Sequence, residues 1–260
     1  MRSESERDWD ARRYLRFEDE RTRPARDLLA AVPLAQASRV VDLGCGPGNS
    51  TEVLAERFPE ATVTGLDSSD DMLREARQRL PNVSFELADI GAWNPAQTYD
   101  VILANASLQW VPDHATLYPR LVSRLNSGGV LAVQTPDNLE EPAHRLAREI
   151  AASSEWASRI GDVTHPDRHP AAYYFELLRP HCAEVDVWRT TYHHPLAGGH
   201  GAVVEWFKGS ALRPYLQKLD EAAQQAFLET YLRAISQAYP ALDDGTVLLP
   251  FPRLFIVATR

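Results

Sequence analysis

The run Arg39–Leu43 (RVVDL) feeds directly into Asp42-Leu43-Gly44-Cys45-Gly46-Pro47-Gly48, and Asn49–Phe58 then sets Val53, Leu54 and Phe58 along one side of a helix. A β-branched strand, a glycine-rich turn and an amphipathic helix in that order open a βαβ unit, which commits the chain to a parallel sheet with crossover helices. Glycines in such a turn let the backbone bend sharply and let a ligand press against it. The same alternation continues downstream. Ala61–Leu66 reads as a second strand closing on Asp67. Ser69 or Asp70 caps the next helix, with Met72, Leu73, Ala76 and Leu80 on its apolar face. Val83–Leu87 and Tyr99–Ala104 are the third and fourth strands. A helix near Ala115–Leu125 stops before Ser127-Gly128-Gly129, and Val130–Gln134 is the fifth strand.

After Pro136 the rhythm changes. Glu140–Ile160 and Pro170–Leu178 read as helices and Ala183–His194 as a long strand. Val203–Tyr239 is mostly helical with breaks near Gly209 and Pro214, and Leu254–Thr259 is a last strand. The expected organisation is one domain over 1–260. It has an N-terminal helical segment (1–37), a cofactor-binding core (38–136) and two helical inserts (137–182 and 197–245). Inserts at the carboxyl ends of strands lie where open α/β sheets bind ligands.

Composition narrows the partners. A formal net charge of −9 over 260 residues argues against nucleic acid and anionic membrane surfaces, though a local cationic pocket remains open to a small anionic substrate. Two cysteines are too few for a disulfide framework, and no Cys/His cluster has metal spacing, so no metal is expected. The scarcity of cysteines makes a reducing, cytoplasmic setting the expectation, and the opening MRSESERDWDARRYLRFEDERTRP is charged throughout and lacks the apolar stretch of a secretion signal.

The acids around the glycine turn choose its ligand. Asp42 at the end of the first strand would repel a pyrophosphate but suits the ammonium of a methionine moiety. Pro47 removes one amide donor that would otherwise face a phosphate. Asp67 at the end of the second strand suits the two ribose hydroxyls of an adenosine. A dinucleotide explains Asp67 but not Asp42, whereas S-adenosylmethionine explains both; a purely structural turn is the bland alternative. Asp89 is placed to accept an exocyclic amine, with a backbone amide near Ile90 for a ring nitrogen, or else it is a loop acid. Met72, Ile90 and Trp93 either sandwich the adenine or serve as packing. The cofactor set is then Asp42, Gly44, Gly46, Gly48, Asp67, Ser68, Met72, Asp89, Ile90 and Trp93.

Asp42–Gly48, Asp67, Ala88-Asp89-Ile90, Asn105–Trp110 and Ser127–Val130 resemble the successive motifs of class I S-adenosylmethionine-dependent methyltransferases, over roughly residues 40–134. The resemblance implies a Rossmann-like, seven-stranded, mostly parallel sheet with its last strand antiparallel and helices on both faces. The helical inserts would form a substrate cap. It also implies that Asn105 and Ala106 lie near the methionine part of the cofactor, which leaves as S-adenosylhomocysteine.

A finer resemblance spans nearly the whole chain. Trp9-Asp10-Ala11 with Tyr14, Arg23–Leu29, Asn105–Trp110, Val204–Gly209 and Leu212-Arg213-Pro214 are similar to the trans-aconitate 2-methyltransferase family, which makes a monomethyl ester of an unsaturated tricarboxylic acid. A polyanion of that kind needs fixed cations and donors. The candidates are Tyr14, Arg21, Trp110, Tyr192, His193, Lys208 and Arg213. Arg21 and Arg23 alternatively belong to a solvated charged face, Trp110 to the core, and only one of His193 and His194 can face a pocket.

The expected chemistry is alignment alone. The sulfonium methyl is already electrophilic, and a carboxylate with a free pKa of about 4 is ionised at neutral pH. No general base is expected, so neither His114 nor His193 is needed as one, and the rate should be flat from about pH 6 to about 8. The rival readings are a class I methyltransferase for a carrier-bound dicarboxylate, quinone or amine, a non-catalytic S-adenosylmethionine-binding module, and a nicotinamide dehydrogenase.

Overall fold

The computed structural model describes residues 18–163 and 168–260, with the side chains of 18–21 left aside. Chain order gives α1 (Glu18–Ala30), β1 (Arg39–Leu43), α2 (Asn49–Arg57), β2 (Thr62–Asp67), α3 (Asp70–Arg79), β3 (Ser84–Leu87), β4 (Tyr99–Asn105), α4 (His114–Ser123), β5 (Leu125–Pro136), α5 (Pro142–Ala151), α6 (Ala157–Ile160), α7 (Ala171–Leu178), β6 (Glu184–Leu196), α8 (Gly199–Lys208), α9 (Arg213–Leu216), α10 (Glu221–Ala238) and β7 (Val247–Thr259). The seven strands form one sheet in the order β3-β2-β1-β4-β5-β7-β6. β1 pairs in parallel with β2 and β4, so the chain reverses its direction of travel across the sheet beside β1. β7 runs against the rest: Arg260 at its end bonds Gly129, and Thr259 bonds Ala183 just before β6.

Two compact units emerge. Of the described residues, the first takes in 18–135, 168–188 and Leu254–Arg260; the second comprises 136–163 and Arg189–Arg253. In the first, the central strands are apolar at nearly every position because helices cover both faces. Val40, Val41, Leu43, Val101–Ala104 and Val130–Val133 are wholly buried. α3 shows why its segment is helical. Ser69 accepts from the Met72 amide, acids open the helix, Arg77 and Arg79 close it, and Met72, Leu73 and Ala76 supply the buried stripe. Within this unit α1 packs on α2 and α7 on α4.

In the second unit the long helix α10 is capped by Asp220, which accepts from Ala223, and buries Phe227, Tyr231 and Ile235. The start of α5 is pinned from two sides: Tyr231 Oη donates to the Ala143 carbonyl at 2.9 Å, and the Ala143 amide donates to Tyr239 Oη at 3.0 Å.

Several expected boundaries move. Leu125 opens β5 rather than ending a helix, because Leu125 pairs with Tyr99 and the strand continues past an irregularity between Tyr99 and Val101. The helical stretch after Pro136 divides into α5 and α6, and α7 belongs to the first unit rather than to the insert expected over 137–182. The described part of the 1–37 segment also belongs to the first unit, where Ala25, Leu28 and Leu29 are buried.

Candidate cofactor-binding site

The carboxyl ends of β2, β1 and β4 lie side by side, and each delivers a polar side chain. At β1 the chain turns with both the Gly44 and Cys45 amides donating to the Leu66 carbonyl at 2.8 Å, which locks the glycine turn to β2. Gly44 has φ +74°, and a Cβ there would stand 2.4 Å from Ser107 Cβ, so only glycine fits. Ser107 Oγ completes the latch by donating to the Leu43 carbonyl at 2.6 Å. Gly46 is different. Its φ is +55°, yet a Cβ there would meet nothing among the described residues within 4 Å. One glycine is demanded by packing, and the other leaves an open face.

Asp67 has both oxygens engaged by backbone amides, Oδ2 by Gly46 and Oδ1 by Ser69, each at 2.9 Å. The carboxylate is thereby aimed, and lone pairs remain on both oxygens. Ser68 beside it is exposed, and Met72 follows it into α3, nearly buried.

Asp42 is wholly buried. Its Oδ2 accepts from Ser50 Oγ and Thr51 Oγ1, both at 2.7 Å, while Oδ1 has no partner among the described residues. Burial pushes this carboxyl up to about 6, the two hydroxyls hold it back, and Asp67 adds a smaller upward push. Ser50 and Thr51 were not singled out by the sequence reading, although hydroxyls opening a helix after a strand-end acid are visible there.

Asn105 ends β4 opposite Gln134 of β5, and its Oδ1 is likewise buried without a partner. Ala106 follows with φ +56°, an unusual backbone state for alanine, and its amide donates to the Gln134 carbonyl at 2.8 Å. Among the described residues, Asp42 Oδ1 and Asn105 Oδ1 are therefore buried strand-end acceptors without donors. Such groups are costly unless something supplies donors.

The adenine candidates separate. Asp89 is exposed and accepts from the Gly91 amide at 2.8 Å, a turn-forming role that leaves its other oxygen available. Ile90 stands near the glycine turn, since its Cδ1 would lie 3.4 Å from a Cβ on Gly44. Trp93 packs its ring on Tyr99 at 5.5 Å and belongs to the main core, the packing alternative of its two readings.

The substrate candidates fall in separate places. Tyr14 and the Trp9-Asp10-Ala11 motif lie outside the described residues, as does the side chain of Arg21. Arg23 is exposed and faces Asp27 at 3.9 Å, the solvated reading. In the first unit Trp110 is 65% exposed, at the end of a short 3₁₀ turn, so it is not a core residue. In the second unit Tyr192 is buried and His193 exposed; the buried histidine is His194, stacked on Trp206 with ring centroids 4.9 Å apart. Lys208 pairs with Glu205 at 3.2 Å. Arg213 is half-buried at the head of α9, and no carboxylate among the described residues pairs with its guanidinium.

Among the described residues, no helix is long and apolar enough to cross a membrane, and no group of three His, Cys, Asp or Glu could hold a metal ion. Cys45 is buried, and burial beside Asp42 and Asp67 drives its thiol far up, so it does not act as a nucleophile.

Comparison with known proteins follows the same line. A family model described as a methyltransferase domain matches residues 34–193. The chain is 56% identical over 258 residues to trans-aconitate 2-methyltransferase of Methylobacterium radiotolerans, covering 97% of this chain and 98% of that protein. The YcgJ protein of Bacillus subtilis shares the fold with a TM-score of 0.60 at 14% identity, over 92% of this chain and 98% of that one. Phosphoethanolamine N-methyltransferase 2 of Haemonchus contortus, solved with S-adenosyl-L-methionine, shares it with a TM-score of 0.54 at 15% identity, over 92% of this chain and 52% of that one.

Proposed function

Because the chain belongs to the trans-aconitate 2-methyltransferase family, we propose that it transfers a methyl group from S-adenosylmethionine to one carboxylate of trans-aconitate, leaving a monomethyl ester and S-adenosylhomocysteine. The observation that carries this reading is the 56% identity to a trans-aconitate 2-methyltransferase over 97% of the chain.

The residues present fit the cofactor. Asp42 Oδ1 and Asn105 Oδ1 are buried acceptors without donors, the need that an ammonium group would meet. Asp67 is held ready for ribose hydroxyls by two amides, and Gly46 leaves its face open. Met72, Asp89, Ile90 and Ala106 complete the set that we assign to the nucleoside and methionine parts. When bound, the cofactor supplies an electrophilic sulfonium methyl.

The protein's own work is then to bind and align. The acceptor carboxylate is ionised at neutral pH, so no side chain has to remove a proton. Salt bridges to the attacking carboxylate would stabilise the ground state more than the transition state, because attack consumes its charge. We therefore assign Arg213, and secondarily Lys208, to the non-reacting carboxylates. Arg213 is the stronger assignment because Lys208 already holds Glu205. Trp110 is assigned to the acceptor side of the methyl group. Cys45 and Cys182 are both free thiols, in keeping with the reducing cytoplasm that we assign.

The test is incubation with methyl-labelled cofactor and a panel of polycarboxylic acids, scoring base-labile ester. Labelled trans-aconitate monoester is expected. Label on a phenol or amine, or on other acids in preference, would replace the proposed substrate.

A further inference from the structure

The turn that follows β4 is clamped by side-chain donors at three carbonyls. Ala106 O accepts from Gln109 Nε2 at 2.6 Å, Gln109 O from Arg168 Nη1 at 3.1 Å, and Leu108 O from His114 Nε2 at 3.0 Å. The last of these fixes the chemistry of the imidazole. A carbonyl only accepts, so the proton must sit on Nε2. In the neutral ring Nδ1 is then an acceptor, and the Tyr174 hydroxyl 2.8 Å away donates to it. His114 is 5% exposed and lies against the rings of Tyr118 and Tyr174. Burial holds its pKa below the ordinary histidine value, opposed by the Leu108 carbonyl and aided by His169 and Arg168. A neutral imidazole with both nitrogens engaged is a strut, not a base.

What the strut supports is Leu108–Trp110. Its first residue is wholly buried, its second is fixed through its own side chain and carbonyl, and its third, Trp110, is 65% exposed. The exposed indole has little packing of its own, so its direction depends on the backbone beneath it. Ser107, one residue earlier, ties the same turn to Leu43. A shift in this turn would therefore be felt where the methyl acceptor is to stand.

We propose that His114 is a positioning residue for methyl transfer: its Nε2–H bond to the Leu108 carbonyl holds the Leu108–Trp110 turn in place, and Tyr174 selects the tautomer that makes this bond. The proposal rests on the reading of Trp110 as a wall for the acceptor.

The test uses the full chain with His114→Leu, His114→Gln and Tyr174→Phe. Turnover and KM for trans-aconitate, S-adenosylhomocysteine affinity by calorimetry, and the imidazole ¹⁵N spectrum are measured. His114→Leu should lower kcat about tenfold or more, since misplacement of roughly an ångström near the reacting atoms has effects of that order. Cofactor-product affinity should stay within about twofold. His114→Gln, whose amide nitrogen reaches the Nε2 position, should recover most of the turnover. The spectrum should contain a neutral histidine, lost in both His114 variants, that is protonated on Nε2.

A folded His114→Leu with unchanged kcat overturns the proposal. So does His114→Gln no better than His114→Leu, or assignment of the His114 proton to Nδ1. Should His114→Leu fail to fold, Tyr174→Phe decides: a severalfold loss of kcat beside a near-normal His114→Gln supports the strut, and wild-type turnover refutes it. If the wild-type protein esterifies no acid, the functional reading fails separately, because the tautomer is read without substrate.

Discussion

Asp42→Asn gives the sharpest test of how the site stores free energy. Folding raises the Asp42 carboxyl from 3.8 to about 6 by burying it. Between those values the folded chain keeps a proton that the unfolded chain has released, so stability is lost as pH rises from about 4 through 6. At about pH 7.5 the full shift applies, a cost of about 3 kcal/mol at 1.36 kcal/mol per unit. At about pH 5 the folded carboxyl is mostly protonated, and the cost falls to roughly half of that. Asparagine keeps an oxygen for Ser50 and Thr51 but puts an amide nitrogen where Oδ1 has no partner, which takes back ~1 kcal/mol. The variant should therefore be more stable than the parent by ~2 kcal/mol at about pH 7.5 and by clearly less at about pH 5. The difference between the two pH values, on the order of 1 kcal/mol, does not depend on the amide correction. Urea melts of the ligand-free protein at both pH values read it directly. Equal effects at the two pH values, or destabilisation at neutral pH, would refute the claim that a buried, strained carboxylate waits there for a donor.

The glycines should respond differently. Gly44→Ala would drive a Cβ to 2.4 Å from Ser107 and should cost several kcal/mol, seen as a large fall in Tm or loss of soluble protein. Gly46→Ala faces open space and should cost only ~1–2 kcal/mol of backbone strain while weakening S-adenosylhomocysteine binding, checked by calorimetry. Arg213→Ala should raise the trans-aconitate KM at least tenfold and leave S-adenosylhomocysteine affinity within about twofold, and Lys208→Ala should do less. Turnover at saturating substrates should be flat above about pH 7, while the S-adenosylmethionine KM should rise as pH falls below about 6 and Asp42 takes up its proton; a rise in turnover with pH near a histidine pKa would speak for a general base instead.

Much of the first unit was legible in the order of residues. Strands that are buried on both faces read as apolar runs, and the glycine turn and the acids at Asp42 and Asp67 sit at fixed places relative to them. These are local facts, set by backbone sterics and by neighbours within one βαβ unit. Boundaries went astray where the partner strand decides, as at Leu125, which is a strand residue because Tyr99 pairs with it.

Burial and aim were decided by parts of the chain far apart in sequence. Ser107 reaches the Leu43 carbonyl 64 residues away, and His114 meets Tyr174 across 60 residues. Trp93 packs its ring on Tyr99, a choice between two readings that its place in the sequence left open. Asp42 is sealed with one oxygen unanswered, which no reading of a strand-end acid could foresee. Sequence fixes which chemical groups are available and the local turn that presents them. Only the packed structure sets how much water each group loses, and that loss makes a carboxyl group wait for a partner and an imidazole act as a strut.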